Sequence, residues 1–463
     1  MDKLIQLIHE LPNQNIDYTF LKSFVEEVQS SPLEYLDLLP KPENPFEYGR
    51  NILTLKPFEC VLLNWPPGVE SAIHLHSGVF GFVLVLRGEI NNHFYTEKPG
   101  ELIEHAIQTY IEGGLLPEPD GVIHKIANRS KLNNAVTLHF YHPAIESLED
   151  LKIYQETTGS IGILSKQATS ACWSDNPNHF KSIQENAFVF KSYEEVNQEK
   201  THIIHPVYPK PEAHKIKEMN KAYYNEQAYI YDNLDQQSPT RKAYTAGIDK
   251  LIATDLNNSP TPINKVIDIA TGTGRRPLHI KELSGLDYTI IGIESSEEMA
   301  LKAKEKGLEI LLADWTNFNL LNTHPFDVVT LLYGFGHIPN ITNRLKLLRN
   351  INKHLKLGGS FYFDTFNINN ENEWGPTCQK QFNQFNQAEN GYQLGDVFYK
   401  RTQGNQIAFL HYFTKQELEE LLISTGFKME YCKIIGYNES SGIELEKEDK
   451  GLYFIKAVKV AEV

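Results

Sequence analysis

Two hydrophobic patterns that do not belong to one sheet divide this chain of 463 residues. From about Asn51 to His142, short β-rich runs such as CVLLNW, GFVLVL and AVTLHFYH are broken by Pro, Gly and Asn. That is the pattern of antiparallel strands in a barrel or sandwich. From Tyr223 onward, apolar runs alternate with helical stretches: KVIDIATGTG, YTIIGIE, EILLAD, FDVVTLLYG and GGSFYFDTF. Strands that alternate with helices build βαβ units and a mostly parallel sheet. The chain also exceeds the roughly 250–300 residues that one core usually sustains, so two domains are expected. The first covers residues 1–165, beginning with short amphipathic helices in MDKLIQLIHELPNQN, which Pro12 ends, and FLKSFVEEVQ. Residues 166–212 form an extension and a proline-rich linker, HPVYPKPEAHK, and residues 213–463 form the second domain.

Composition removes several classes of function. With 59 acidic residues against 44 basic ones, the net charge is -15, which offers no footprint for nucleic acid or an anionic membrane. Cys60, Cys172, Cys378 and Cys432 are scattered without a C-x-x-C pair, so neither a disulfide framework nor a zinc knuckle is expected. A reducing, cytoplasmic location fits this usage. The N-terminus lacks the basic start and unbroken apolar stretch of a signal peptide, and no run reaches the length that spans a bilayer.

The first domain carries SAIHLHSGVFGFVLVLRGEI. On a strand, residues i and i+2 share a face, so His74 and His76 point the same way. The surrounding spacing makes them candidate ligands rather than core. Gly68, His74-Leu75-His76, Gly81 and Gly88 follow the first cupin motif, and Gly113, Pro119-Asp120-Gly121, His124 and Asn128 follow the second. One departure is that Gly81 stands where a cupin usually supplies a Glu ligand. Three neutral imidazoles without a carboxylate leave a divalent cation its full charge, suited to a thiolate brought by a substrate. Imidazole ligands alone do not name the metal.

FEYGRNIL, SAIHLH, GVIHKIAN, TLHFYHP and YQETTG together resemble the thiol dioxygenases, specifically the cysteine dioxygenase family, over about the first 165 residues. The resemblance implies Fe(II) held by His74, His76 and His124. It also implies a substrate carboxylate on Arg50 near Tyr48, and an outer hydrogen-bonding trio of Thr137, His139 and Tyr141. Animal members crosslink a cysteine to the active-site tyrosine, which Gly81 makes impossible here. His93 and His105 fit neither motif and are expected at the surface. Trp65, Tyr110 and Cys60 are expected in the core.

In the second domain, VIDIATGTG places Asp268, Ala270, Gly272 and Gly274 between a strand and a helix, where backbone N–H groups can approach a ligand. A dinucleotide turn is the competing reading. The downstream pattern favours another: Glu294 ends the next strand, and Asp314 with Trp315 follows the third. This resembles the class I S-adenosylmethionine-dependent methyltransferases from about Tyr223 to Val458, a Rossmann-like fold whose sheet ends in antiparallel strands. The resemblance implies that the glycine turn and Asp268 cradle the cofactor, Glu294 holds its ribose and Asp314 its adenine. No NPPY or DPPY follows the fourth strand, so a base amine is not the expected acceptor. Tyr333 and His337 are candidates at the acceptor, and Tyr223, Tyr224, Tyr229 and Tyr231 are candidates for a lid.

The expectation is a bifunctional enzyme acting on small molecules: O2-dependent oxidation of a thiol, L-cysteine first, to its sulfinate, and S-adenosylmethionine-dependent methylation of a small acceptor. Two alternatives stay open: a dioxygenase of another small thiol beside an independent methyltransferase, or a metal and cofactor sensor without turnover.

Overall fold

The computed structural model describes residues 1–11, 16–42, 46–197, 200–233, 238–320, 325–384, 387–438 and 440–463. Pro12, expected to end the first helix, lies outside them. The chain forms two compact units, Met1–Lys210 and Pro211–Val463. Among the described residues no helix is long and apolar enough to cross a membrane.

In the first unit, strict alternation along two neighbouring strands creates an inside and an outside. Glu59–Trp65 and Ala135–His142 pair antiparallel, with Glu59 opposite Tyr141, Val61 opposite His139 and Leu63 opposite Thr137. The alternate residues Cys60, Leu62, Leu138 and Phe140 point the other way. They form a buried cluster with Leu4 and Ile8 of helix Asp2–Glu10 and with Leu21, Val25 and Val28 of helix Tyr18–Gln29. The N-terminal helices thus cap the outer face, leaving the polar row Glu59, Thr137, His139 and Tyr141 facing inward. The five-stranded sheet runs Gly49–Thr54, Glu59–Trp65, Ala135–His142, Phe80–Arg87, Leu115–Glu118. A second sheet contains Lys152–Gln155, Ile73–Leu75, Ile123–Ala127, Glu89–Lys98 and Glu101–Ile111 as neighbours. The extension after residue 165 adds strands to it: Phe180–Gln184 pairs with Ser160–Leu164, while Val189–Lys191 and Val207–Tyr208 lie parallel to Glu101–Ile111. Part of the proline-rich segment is therefore sheet edge rather than free linker.

The second unit has an eight-stranded sheet. Glu309–Leu312, Thr289–Glu294, Lys265–Ile269, Phe326–Leu331 and Leu355–Thr365 lie parallel, followed by antiparallel Gly451–Lys459 and Phe427–Gly436 and the short Glu444–Leu445. Strand order reverses between Lys265–Ile269 and Phe326–Leu331, the position at which open α/β sheets bind ligands at their carboxyl ends. The near-continuous apolar strands are buried on both faces, as a parallel sheet requires. A helix, Gly375–Gln384, and a hairpin, Asp396–Arg401 with Ile407–His411, are inserted before the last helix, Lys415–Ile423. The fold expected from the sequence, a cupin barrel followed by a Rossmann-like sheet with an antiparallel end, is the fold observed.

Candidate functional sites

The two cupin hairpins meet face to face. His74 on Ile73–Leu75 is the register partner of His124 on Ile123–Ala127, and His76 follows one residue beyond the strand. The motif residues around them have separate structural tasks. Gly113 and Gly121 sit at φ 80° and 82°, left-handed turns that favour glycine. Asn128 Nδ2 donates to the carbonyls of Trp65 and Asn133 at 2.9 Å each, tying the end of one strand to the loop of another.

One nitrogen each of His74, His76 and His124 lies within 4.8 Å of the others. His74 Nδ1 is 2.8 Å from the Ala72 carbonyl and His124 Nδ1 is 3.0 Å from Asn92 Oδ1. Both Nδ1 atoms face acceptors and so carry the proton, which leaves each Nε2 with a bare lone pair. His74 Nε2 stands 3.1 Å from His76 Nε2, and His124 Nε2 is buried with no hydrogen-bond partner. Burial pulls the His74 imidazole down, and burial with its histidine neighbours pulls His76 and His124 well below the ordinary range. Neutral imidazoles with lone pairs converging on one point fit a transition-metal ion, with Ala72 and Asn92 orienting the rings from behind.

Facing the triad is a cavity lined by Tyr48, Arg50, Trp65, His139 and Tyr141 together with the three histidines. A hydrogen-bond chain runs along its wall. Trp65 Nε1 donates to Thr137 Oγ1 at 2.7 Å, Thr137 Oγ1 is 2.8 Å from His139 Nε2, and His139 Nδ1 is 2.8 Å from the Tyr141 hydroxyl. An indole nitrogen can only donate, so Thr137 Oγ1 accepts from Trp65 and keeps its own proton free to turn toward His139 Nε2; in that tautomer His139 carries its proton on Nδ1, aimed at Tyr141. Burial pushes His139 down to about 3, keeping the ring neutral. Burial and the nearby Glu118 carboxyl hold the Tyr141 phenol well above its usual range. Trp65, expected in the core, is the head of this chain. His93, expected at the surface, is buried and bonded through Nδ1 to Glu104 Oε1 at 2.6 Å, because Glu89–Lys98 is covered on both sides. Cys60 is the buried thiol expected, pushed far up by burial.

Arg50 is half-buried and its Nη2 donates to Glu59 Oε1 at 2.6 Å and to the Ile145 carbonyl at 3.4 Å. Glu59 Oε2 accepts from the Ile145 N–H at 2.8 Å, so the carboxylate anchors both the guanidinium and the loop beside it. The Tyr48 hydroxyl accepts from the Ala171 N–H at 2.8 Å, and its ring lies 4.4 Å from Trp65.

In the second unit, Asp268, Ala270, Thr271, Gly272 and Thr273 line a cavity with Tyr231, Arg241 and Tyr333. A Cβ at Gly272 would meet nothing within 4 Å, whereas one at Gly274 would sit 2.5 Å from Leu308 Cδ1. Gly272 therefore keeps open space above the turn, and Gly274 lets the turn pack on the helix behind it. Ala270 takes φ 56°, so this alanine occupies a left-handed position. Glu294 is buried, and its oxygens accept from the N–H groups of Gly272, Ser295 and Ser296 at 2.8 Å each. The glycine turn thus leaves open space for a ligand beside the Glu294 carboxyl. Asp268 accepts from Thr330 Oγ1 at 2.5 Å, and burial pushes it to about 7. Asp314 caps the turn Trp315–Asn317 through Thr316 N at 2.8 Å and pairs with Lys217 Nζ at 2.8 Å. Trp315 Nε1 is buried without a hydrogen bond.

Tyr333 and His337 stand in different surroundings. Tyr333 lines the cavity at φ 60°, its N–H bonded to Asp364 at 2.6 Å. His337 is buried, with Nδ1 2.7 Å from the Phe409 carbonyl and Nε2 2.7 Å from the Tyr224 hydroxyl. Tyr223 is buried in helix Ala213–Gln227, Tyr231 lines the cavity, and Tyr229 is exposed with its hydroxyl on Glu298.

Comparison with known proteins assigns both units. Residues 2–154 match the cysteine dioxygenase type I family and residues 227–431 match a methyltransferase domain family. Cysteine dioxygenase type 1 of Rattus norvegicus is 26% identical over 151 residues, covering 31% of this chain and 74% of that protein. The Homo sapiens protein of the same name is 22% identical over 188 residues, covering 37% and 93%. Among solved structures, a methyltransferase from Methanosarcina mazei has 19% identity and a TM-score of 0.35, covering 44% of this chain and 96% of its own. One from Clostridium acetobutylicum has 18% identity and a TM-score of 0.36, covering 51% and 99%.

The chain is a two-domain enzyme, an oxidoreductase unit followed by a transferase unit. The first unit carries the match to the cysteine dioxygenase type I family and the second the match to a methyltransferase domain family.

Proposed function

We propose that the first domain converts L-cysteine and O2 to the sulfinate, and that the second methylates a small acceptor, the amine of the sulfur-containing product being our first choice. The observation that carries the first half is the convergence on one cavity of three lone-pair imidazoles, Arg50 and the Trp65–Thr137–His139–Tyr141 chain. Fe(II) on His74, His76 and His124 would supply the redox chemistry that lets O2 react with a thiolate. The chain's own residues do the rest. Arg50, with Tyr48 beside it, receives the substrate carboxylate on its planar fork of donors, and Glu59 holds that fork in place. With the His139 proton on Nδ1, the Tyr141 phenol accepts there and keeps its own proton for a second partner. Val61, Leu63 and Trp65 make the remaining wall apolar and dry.

In the second domain we assign the cofactor to the turn Asp268–Gly274, with Ala270 and Gly272 beneath its tail and Glu294 accepting from the ribose hydroxyls. Asp314 and Trp315 are assigned to the adenine. S-Adenosylmethionine would supply a methyl group for in-line transfer, and alignment in a closed site can provide much of the acceleration. Tyr333, which lines the same cavity, is assigned to orient the acceptor. His337 holds Tyr224 and the Phe409 carbonyl, which makes it a support for the site's wall rather than a free base. Four free cysteines fit a reducing cytosol as the place of action.

The test is steady-state thiol oxidation by iron-loaded protein with cysteine and with a thiol acid lacking the amine, for wild type and Arg50→Ala. Preference for cysteine, and a KM that rises steeply in the variant, support the assignment. Indifference of KM to Arg50 would reassign the substrate to a thiol without a free carboxylate.

A further inference from the structure

Gly81 lies between two longer side chains in one row across the sheet. It is the register partner of Tyr141 on one side and of Glu118 on the other, and residues directly opposite share a face. A Cβ at Gly81 would come within 2.5 Å of Tyr141 Cδ1, so only glycine lets that ring lie flat across the strand. Glu118 then closes the row at the end of Leu115–Glu118. Its side chain is buried, neither carboxyl oxygen lies in a well-formed hydrogen bond, and its polar neighbours are the Tyr141 phenol and His124. Oε1 stands 3.7 Å from His124 Nε2, the other orphaned polar atom of the site.

A carboxyl group and an imidazole lone pair that face each other at 3.7 Å in a buried row leave a place where a cation on the histidine would also meet the carboxyl oxygen. Buried polar groups without a well-formed partner are satisfied where an ion completes them. A divalent cation on the histidine nitrogens would do so. The arrangement also answers a deficit noted in the motif, since the position that usually provides a cupin carboxylate is Gly81. The neighbouring strand brings a carboxylate to the same row, outside the substrate cavity.

We propose that Glu118 is the anionic partner of the metal centre, a carboxylate that compensates part of the charge three neutral imidazoles leave on the ion. It acts as a positioning residue, strengthening metal binding and setting the charge seen by whatever the metal holds. The proposal rests on the assignment of His74, His76 and His124 as ligands.

The experiment is anaerobic competition for Fe(II), and separately Co(II), against a chromophoric chelator, with wild type, Glu118→Gln, Glu118→Met and His124→Ala. Glu118→Gln is expected to weaken both metals roughly tenfold or more, the usual scale for a residue just behind the ligands, and to shift the visible Co(II) spectrum. Its metal-free melting temperature should be equal to or higher than wild type, since an unpaired buried acid is removed. A purely structural role predicts the reverse: a lower melting temperature and unchanged metal affinity. Introducing Glu118→Gln into Tyr141→Phe should give the same loss of affinity, and disappearance of the effect there would mean that Glu118 serves only the phenol. Glu118→Met answers the same question should the amide variant not fold. Unchanged affinity in folded Glu118 variants overturns this proposal alone, whereas unchanged affinity in His124→Ala overturns the ligand assignment itself.

Discussion

Trp65 Nε1 lies 2.7 Å from Thr137 Oγ1, and this bond leaves the Thr137 proton free to point along the chain through His139 to the Tyr141 phenol. Replacing Trp65 with Phe keeps the ring against Tyr48 but lets the Thr137 hydroxyl rotate. Turnover of thiol oxidation should fall roughly tenfold, equivalent to about 1.4 kcal/mol, with KM little changed. An unchanged turnover number and pH profile in Trp65→Phe would remove the indole from the mechanism.

Arg50 and Glu59 form an ion pair in which the carboxylate is fully buried and the guanidinium is not. Arg50→Ala should raise KM for cysteine about 10–100-fold, the range of a charge-assisted hydrogen-bonded pair. Arg50→Lys should recover little of it, because a point charge does not replace a planar fork. Initial rates against substrate concentration decide this.

The histidine triad was legible because its determinants are local: H-x-H on a strand, and a P-D-G turn three residues before His124. Trp65 was not, because a large aromatic in a β-run looks the same whether its N–H meets a core hydroxyl or a catalytic one. His93 departs from its expected surface place for a related reason: its strand lies between Glu101–Ile111 and Ile123–Ala127, and its ring meets Glu104, none of which the local pattern shows. Glu118 becomes meaningful only through the register that sets it beside Gly81. In the second domain the strand–helix alternation and the glycine turn carried the fold. At Asp314 the sequence shows a carboxylate after a strand, and the structure shows that carboxylate capping its own turn and holding Lys217. The hairpin Asp396–Arg401 with Ile407–His411 went unread because its pairing is an insertion into the alternating pattern.

Metal binding should stabilise the first unit. An ion that binds only the folded state adds about 2.7 kcal/mol at a free concentration one hundred times its Kd. Thermal melts with Fe(II) under anaerobic conditions should shift upward in wild type and stay unmoved in His74→Ala or His124→Ala. A shift that survives both substitutions would place the ion elsewhere.

His337 gives the second unit an acid-sensitive element. Burial lowers its folded pKa to about 4, from the ordinary histidine value of about 6.5. Between these values the unfolded chain binds a proton that the folded chain does not. Stability therefore rises with pH across this window and falls on acidification from about 6.5 to 4, by about 3 kcal/mol in order of magnitude. His337→Gln should flatten that part of the stability profile in urea titrations at several pH values. An unaltered slope would mean that other groups carry it.

Gly272 and Gly274 should respond differently to alanine. Both have positive φ, 57° and 78°, so each substitution costs about 1–2 kcal/mol of backbone strain. Only Gly274→Ala also drives a methyl against Leu308 and Ala303. Gly274→Ala is expected to lose more stability, while Gly272→Ala loses chiefly affinity for S-adenosylhomocysteine, as calorimetric titration and melting temperatures would show. Equal cofactor affinity in Gly272→Ala and wild type would remove the cofactor from that turn.

The most direct test of the whole account is mass spectrometry of the products formed when iron-loaded protein is incubated aerobically with cysteine, with and without S-adenosylmethionine. A product carrying two added oxygen atoms is expected in both reactions, and a methylated form of it only when the methyl donor is present. Cysteine recovered without added oxygen, from protein shown to hold iron on the histidine triad, would contradict it.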